Sequence, residues 1–251
     1  MKVIFLAAGK GKRLGDLTES FPKCLLKING KSILERDMDA FLKNGIKDFV
    51  VVTGPHNEQF DFQNIRYIQD INHEEHDVLG TLMEARNFLD DDVIVSYTDI
   101  IYDESIVKSL IDFSGDVGLA VDMNWKEAYI GRTEHPVAEA ANVMIKNNSV
   151  LKIGHQMEKF GEYADNMIGE FLGIMKLSKN GAKILRKRYE ELEKSSSVHF
   201  HESRSFQNGY IVDILQDLID NGTNVNSVEI SGKWCEIDTL QDLENSKKKF
   251  V

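Results

Sequence analysis

The sequence predicts an α/β fold built on a doubly wound, mostly parallel β-sheet. Runs such as Val3 to Ala7 and Phe49 to Thr53 are apolar on both faces, which is typical of strands covered by helices on both sides. Segments with helical spacing alternate with these runs, as in right-handed βαβ units. With 251 residues, 42% of them hydrophobic, the chain can bury a large core.

The expected elements follow one another along the chain. The predicted strands are Val3 to Ala7, Phe49 to Thr53, Ile65 to Ile68, Val93 to Tyr97, Val117 to Val121, Asn142 to Ile145, Val150 to Ile153, Ile168 to Leu177 and Val225 to Ile230. The predicted helices are Ser32 to Asn44, Leu79 to Leu89, Glu104 to Phe113, Asn180 to Lys194, Tyr210 to Asp220 and Leu240 to Lys248. The turn at Asn147 and Asn148 indicates a hairpin, so we expect a small β region inserted after Asp122.

The overall charge narrows the classes of partner. There are 30 Lys and Arg against 41 Asp and Glu, a formal net charge of −11, which disfavours nucleic acid and anionic membrane surfaces. The chain has only 2 Cys, too few for a disulfide framework. We expect a cytoplasmic protein that acts on small molecules, with a second copy of the chain, in a homodimer, as its candidate protein partner.

A glycine-rich loop follows the first predicted strand. Small residues there let the backbone approach phosphates closely, and Arg13 adds a guanidinium that can grip phosphoryl oxygens. The loop lacks the third glycine of the dinucleotide fingerprint and does not fit the Walker A pattern. Lys23 follows Pro22 and faces the same phosphates if the loop folds back. The candidate phosphate-binding residues in the loop are Leu6, Ala7, Ala8, Gly9 and Gly11.

Two aspartates are candidate metal ligands. Asp99 follows the strand Val93 to Tyr97, and Asp238 precedes the last predicted helix. Mg²⁺ prefers carboxylate oxygens together with substrate phosphates. Spacing alone leaves two simpler interpretations open, a turn residue at Asp99 and a helix N-cap at Asp238.

The loop motif carries a resemblance to a known family. Leu6-Ala7-Ala8-Gly9-x-Gly11-x-Arg13-Leu14, followed by Pro22-Lys23, resembles the nucleotidyltransferases that make nucleoside-diphosphate sugars and related activated compounds. The resemblance implies a single-domain Rossmann-like fold, NTP binding with Arg13 and Lys23 on the triphosphate, and in-line attack at the α-phosphorus. It also implies a metal held by Asp99 and Asp238. Gly80 and Thr81 are similar to the family's Gly-Thr near the base and ribose, although plain helix capping also suits them.

A second motif narrows the resemblance. The pattern Trp-basic-x-x-Tyr-x-Gly-Arg-Thr-x-His-Pro, with Gly-x-Trp-x-Glu-Ile-Asp-Thr near the end, looks like cytidylyltransferases acting on phosphonates. From spacing alone, aromatic residues that simply pack on the sheet are the better interpretation of the middle pattern. The resemblance implies acceptor contacts by Trp125, Lys126, Tyr129, Arg132, Glu170, Trp234 and Glu236. For Glu170, a carboxylate at a strand edge remains an equal alternative.

The resemblance implies an enzyme that transfers CMP from CTP to a small phosphonate, such as 2-aminoethyl- or 2-hydroxyethylphosphonate, with Mg²⁺ and release of pyrophosphate. The same chemistry on phosphocholine or a sugar 1-phosphate is the alternative. A non-catalytic nucleotide-binding regulator is another, but the intact set of cations and aspartates argues against it. We expect residues 1–122 and about 225–251 to hold nucleotide and metal, and about 123–224 to face the acceptor.

Overall fold

The computed structural model describes residues 1–155, 167–195 and 200–250. Its strands are β1 (Lys2–Ala7), β2 (Lys27–Ile28), β3 (Lys31–Ser32), β4 (Phe49–Thr53), β5 (Arg66–Gln69), β6 (Val93–Tyr97), β7 (Ile100–Tyr102), β8 (Val117–Asp122), β9 (Asn142–Lys146), β10 (Ser149–Gly154), β11 (Ile168–Leu177), β12 (Val225–Glu229) and β13 (Trp234–Glu236). Its α-helices are α1 (Ile33–Lys43), α2 (Val78–Glu84), α3 (Glu104–Asp112), α4 (Lys179–Ser195), α5 (Ile211–Asp220) and α6 (Leu240–Lys249).

The main sheet confirms the predicted fold class. Within the described residues it has nine strands in the order β5-β4-β1-β6-β11-β8-β12-β10-β9. The pairs β5–β4, β4–β1, β1–β6 and β8–β12 are parallel, whereas β11 runs antiparallel to both β6 and β8. The hairpin β9–β10 closes one end of the sheet, where the inserted β region was expected.

Both faces of the sheet are buried, which explains the continuous apolar runs. Along β1, Ile4 and Leu6 join a core with α2, α4 and α5. Val3 and Phe5 point the opposite way into a core with α1 and α3. Because successive strand residues face opposite sides, a strand covered on both sides must be apolar throughout.

Helix α1 shows how the local sequence fixes an element. Ser32 caps its N-terminus by accepting from the backbone N–H of Glu35, and the Glu35 carboxylate accepts in return from the backbone N–H of Ser32. This capping box satisfies donors that the first turn leaves unpaired. Gly45 follows the helix with φ +82°, a conformation that favours glycine.

Two predicted segments differ from the structure, and a third segment, for which no element was predicted, is helical. The helix expected over Leu79 to Leu89 is shorter, because the chain leaves α2 at Ala85 and continues as a 3₁₀ turn over Arg86–Phe88. The third strand lies one residue later than expected, at Arg66–Gln69. The segment from Trp125 to Tyr129 is a 3₁₀ helix, in which residues four apart lie close but not stacked.

A two-stranded sheet brings the C-terminal segment to the end of β6. Strand β13 pairs antiparallel with β7, placing Cys235 opposite Ile101. Beyond this pairing, the backbone N–H of Ile237 donates to the carbonyl of Asp99 over 2.7 Å. Asp238 therefore lies beside the carboxyl end of β6. Among the described residues, no helix is both long and apolar enough to cross a membrane.

Candidate active site

The glycine loop lies where β1 ends, as predicted. Leu6, Ala7 and Ala8 are buried, and the Thr98 hydroxyl donates to the Leu6 carbonyl over 2.8 Å, which joins the ends of β1 and β6. Gly11 has φ +57°, and an added Cβ there would lie 3.1 Å from the Cβ of Lys23. Glycine at this position therefore permits both the left-handed turn and the close approach of the Lys23 segment.

The four predicted phosphate and metal residues lie together. The ammonium of Lys23 forms a hydrogen bond with Asp238 and lies 3.4 Å from Asp99 Oδ2. The guanidinium of Arg13 donates to Asp238 Oδ2 over 2.6 Å and also to Glu139. Residues more than 200 positions apart in sequence thus converge on one point, at the carboxyl edge of the sheet.

Opposite charges within this cluster keep both partners ionised. Burial acts to lower the pKa of the Lys23 ammonium, but Asp99 and Asp238 outweigh it and the pKa is raised. Burial acts to raise the pKa of Asp238, but Lys23 and Arg13 hold it below its ordinary value. The buried ammonium of Lys23 and the more exposed guanidinium of Arg13 can exchange these carboxylates for phosphate oxygens.

The start of α6 holds Asp238 in place. Asp242 Oδ2 accepts from the backbone N–H of Asp238 over 3.2 Å and from that of Thr239 over 3.0 Å. Asp242 Oδ1 accepts from Arg132 Nε over 2.8 Å. Arg132 also lies 3.2 Å from Glu236 Oε2, so one buried guanidinium supports both carboxylates that flank the turn.

A histidine that the sequence analysis did not assign lies in the same cluster. Ligand atoms of His135, Glu236 and Asp238 all lie within 4.8 Å of one another, and His135 Nδ1 is buried with no hydrogen-bond partner among the described residues. Burial and the positive charge of Arg132 lower the pKa of His135. Burial, followed by Asp238 and Asp99, raises the pKa of Glu236 well above its usual range. His135 is the histidine of the Trp-basic-x-x-Tyr-x-Gly-Arg-Thr-x-His-Pro motif, so that motif is the sequence signal that could have identified it as a site residue.

Two cavities meet at this cluster. A smaller one of about 280 Å³ is lined by loop residues and reaches Lys23, Asp99 and Asp238. A larger one of about 650 Å³ shares Arg13, Asp99 and Asp238 with it and continues towards β11 and α5. Glu170, Trp234 and Glu236 line the larger cavity, and their contact with an acceptor stays a prediction. Trp234 is fixed there by its Nε1–H, which donates to Asp122 Oδ2 over 2.7 Å.

The structure corrects the predicted acceptor contacts of the middle motif, because Trp125, Lys126, Tyr129 and Arg132 do not line the larger cavity. Trp125 is 1% exposed and donates its Nε1–H to the carbonyl of Ile168, so its ring belongs to the core. Lys126 lies on the exposed side of the 3₁₀ turn. Tyr129 is buried beneath Arg132, whose guanidinium lies 4.9 Å from the ring centre. Trp125 and Tyr129 therefore pack in the interior, as the interpretation from spacing alone had favoured.

Glu170 is held between that buried network and the cavity. Its Oε1 accepts from the Tyr129 hydroxyl over 2.6 Å, and its Oε2 accepts no hydrogen bond from any described residue. Burial raises the pKa of Glu170 to about 7. Tyr129 therefore reaches the cavity only through the carboxylate that it orients.

Gly80 and Thr81 of α2, the predicted nucleotide-binding residues, lie away from the two cavities. Thr81 is buried and donates its hydroxyl to Asp70 Oδ2 over 2.8 Å. An added Cβ at Gly80 would lie 2.5 Å from the ring of His76, so glycine is needed there for packing. Neither residue lines the two cavities, whereas Asp77 and Val78, at the start of the same helix, do.

Comparison with known proteins agrees with this arrangement. Residues 3–146 match the family model of the MobA-like NTP transferase domain. The chain belongs to this family. It is thus a nucleotidyltransferase by family, and the resemblance predicted from the loop is confirmed.

Individual relatives extend the similarity of this NTP transferase to almost its whole length. A CTP:phosphoglutamine cytidylyltransferase from Campylobacter jejuni is 29% identical over 257 residues, covering 97% of this chain and 98% of the relative. The inositol-1-phosphate CTP transferase from T. maritima superposes with a TM-score of 0.71 at 21% identity, covering 100% and 97% of the two chains. The CTP:phosphocholine cytidylyltransferase from Streptococcus pneumoniae gives 0.74 at 20% identity, covering 98% and 97%. The two structural similarities show the shared fold.

Proposed function

We propose that this NTP transferase is a CTP-dependent cytidylyltransferase that transfers CMP to a small phosphonate and releases pyrophosphate. The observation that carries the proposal is the meeting of Lys23 and Arg13 with Asp99 and Asp238 where the two cavities join. Relatives that are cytidylyltransferases by name support CTP as the donor. The middle motif supports a phosphonate as the acceptor, and phosphocholine or a sugar 1-phosphate is the alternative.

The donor atoms fit a divalent cation. Asp99 and Asp238 both approach the single charge of Lys23, so their carboxylates already surround one positive centre. Both offer oxygen, which Mg²⁺ prefers, whereas the neighbouring set around His135 includes a nitrogen. Nucleotidyltransferases of this kind generally use a divalent metal. We propose Asp99 and Asp238 as the Mg²⁺ ligands, and a bound ion would supply positive charge that offsets the negative charge of the triphosphate.

The reaction requires charge stabilisation rather than a general base. A phosphonate oxygen is already anionic near neutral pH, and it forms a bond with the α-phosphorus of CTP. The bond from that phosphorus to the bridging oxygen breaks, and its electron pair leaves with pyrophosphate. Arg13 and Lys23 stabilise the negative charge that spreads over the phosphoryl oxygens in the transition state. The N–H groups of the loop backbone position the triphosphate.

The two parts of the domain would then bind different substrates, one the nucleotide with its metal and the other the acceptor. The smaller cavity is lined by segments within residues 1–122 together with Asp238. The larger cavity adds residues between 135 and 212. This supports nucleotide and metal binding by residues 1–122 and about 225–251, and acceptor binding by about 123–224. A cytoplasmic location and a homodimer remain predictions.

An acceptor panel tests the proposal. The protein is incubated with Mg²⁺ and each of the four NTPs, together with 2-aminoethylphosphonate, 2-hydroxyethylphosphonate, phosphocholine or glucose 1-phosphate, and pyrophosphate release is measured. We expect release with CTP and a phosphonate. Turnover with sugar 1-phosphates alone would show that the acceptor is a sugar 1-phosphate and not a phosphonate. Turnover with another NTP would show that the donor is not CTP. Nucleotide binding without any turnover would support a non-catalytic regulator.

A further inference from the structure

The larger cavity continues beyond the region shared with the smaller one. Its further wall is built by Asp77 at the start of α2, His155 after β10, and Glu202 and Tyr210 before α5. His155 and Glu202 are joined, because the Glu202 carboxylate accepts from the backbone N–H and lies 2.9 Å from Nδ1. The ring of Tyr210 lies 5.5 Å from that of His155. These residues have no assigned part in nucleotide or metal binding.

The lining of the larger cavity is strongly acidic. The carboxylates that line the whole cavity are Asp77, Asp99, Glu139, Glu170, Glu202, Glu236 and Asp238. Among the described lining residues, Arg13 is the one Lys or Arg, and it pairs with Glu139 and Asp238. Beyond this shared corner, Asp77, Glu170 and Glu202 face the same space with no lysine or arginine in the described wall. An acceptor that carried only negative charge would be repelled there.

Glu170 provides a second, independent observation. Its side chain is 5% exposed and lines the cavity, and its Oε2 has no hydrogen-bond partner among the described residues. A buried polar atom without a partner is costly and uncommon. Its other oxygen is fixed by Tyr129, so the carboxylate is held in one orientation. A donor placed in the cavity would complete its hydrogen bonding.

We propose that this wall, together with Glu170 in the same cavity, is a subsite for an organic ammonium group on the acceptor. Glu170, Asp77 and Glu202 are the residues that select it. The inference rests on the proposed function and narrows it to acceptors that carry an anionic phosphorus group at one end and a positive charge at the other. Tyr97 and Tyr210 line the same space, and aromatic rings attract such a cation. The ammonium group is recognised and takes no part in bond making or breaking.

Matched acceptors test the subsite directly. 2-Aminoethylphosphonate and 2-hydroxyethylphosphonate are nearly the same size and differ in the charge of the distal group. With CTP and Mg²⁺ saturating, we expect kcat/KM to favour the amine by about tenfold to a hundredfold, the range of one charge-assisted hydrogen bond. Equal kcat/KM for the two would overturn the subsite while leaving the proposed function standing. Transfer to no acceptor at all would instead contradict the proposed function.

Two substitutions localise the preference. Glu170→Gln keeps an oxygen for the Tyr129 hydroxyl and removes the charge, and Asp77→Asn keeps a side chain able to cap α2. Each should reduce the ratio of kcat/KM between amine and alcohol by about tenfold. Glu229→Gln, at an exposed residue at the end of β12, is the matched control and should keep the wild-type ratio. Retention of the full preference by both cavity variants would overturn the assignment.

Phosphocholine adds one further comparison. Its quaternary ammonium carries the same charge but donates no N–H hydrogen bond. Turnover with phosphocholine that is likewise reduced by Glu170→Gln would support recognition through charge and aromatic faces. Transfer confined to sugar 1-phosphates, which carry no positive charge, would overturn the subsite.

Discussion

At the residue scale, single buried charges decide what the site can do. Lys23 is 9% exposed, and it can remain ionised because Asp99 and Asp238 flank it. The four residues that converge were predictable, since strand ends of a parallel sheet share one edge and the loop motif carried a resemblance. His135 and Asp242 were not assigned, because neither residue follows a strand end or belongs to the loop motif. Their contacts depend on how the middle motif packs against the start of α6.

Asp37 is a buried carboxyl group whose ionisation would be costly. It is fully buried in α1, both of its oxygens lack a hydrogen-bond partner among the described residues, and burial raises its pKa well above the ordinary value. As pH rises above about 4, the unfolded chain loses this proton while the folded chain keeps it. The free energy of unfolding should therefore fall with pH through this group, by up to about 1.4 kcal/mol per unit.

Urea denaturation between pH 4 and pH 7 checks this effect in wild type and Asp37→Asn. Asparagine does not titrate, so the stability of wild type relative to the variant should decrease as pH rises. Parallel pH profiles for the two proteins would show that Asp37 is ionised in the folded state.

At the element scale, the start of α6 couples stability to the site. Asp242 caps the helix, holds the backbone of Asp238 and pairs with the buried Arg132. Asp242→Ala leaves that guanidinium short of a partner, so we expect a loss of about 3 kcal/mol in the free energy of unfolding. It should also raise the Mg²⁺ concentration needed for half-maximal activity.

Glu244→Ala is the matched control for this prediction. It lies on the same helix, and its side chain is 64% exposed, so both quantities should stay close to wild type. If Asp242→Ala needed the same Mg²⁺ concentration as wild type, whatever its stability, Asp242 would cap the helix without positioning Asp238 for the metal.

Long elements were predictable and short ones were not. Phe49–Thr53, Val93–Tyr97 and Ile168–Leu177 have the bounds that their apolar runs predicted. Strands of two or three residues, such as Trp234–Glu236, depend on a distant partner and leave no periodic signal. The antiparallel direction of β11 was likewise not predicted, because an apolar run covered on both faces reads the same in either direction.

At the scale of the whole molecule, the site joins the two ends of the chain. Arg13 and Lys23 come from the first segment, and Asp238 comes from the last one. A ligand that binds across this junction should stabilise the entire fold through mass action. With Mg²⁺ and a non-hydrolysable CTP analogue at about 100 times Kd, the gain of about 2.7 kcal/mol predicts a rise in Tm of roughly 5–10 °C.

Thermal melts with and without the ligands measure this gain. Mg²⁺ is then removed with a chelator, which should cancel most of the shift while the far-UV spectrum stays folded. In a parallel assay with CTP and an acceptor, the chelator should abolish pyrophosphate release. Asp238→Asn should show the same loss of the shift. A full shift in the absence of any divalent cation would contradict the proposed metal site.

The most direct test of the central claim is pyrophosphate release by Lys23→Ala, with CTP, Mg²⁺ and 2-aminoethylphosphonate. The account predicts a fall in kcat of at least a hundredfold, equivalent to about 3 kcal/mol of lost transition-state stabilisation. The far-UV spectrum should be unchanged, and Lys10→Ala, which removes an ammonium paired only with Glu74 among the described residues, should stay near wild type. A folded Lys23→Ala protein that releases pyrophosphate at the wild-type rate would contradict the account.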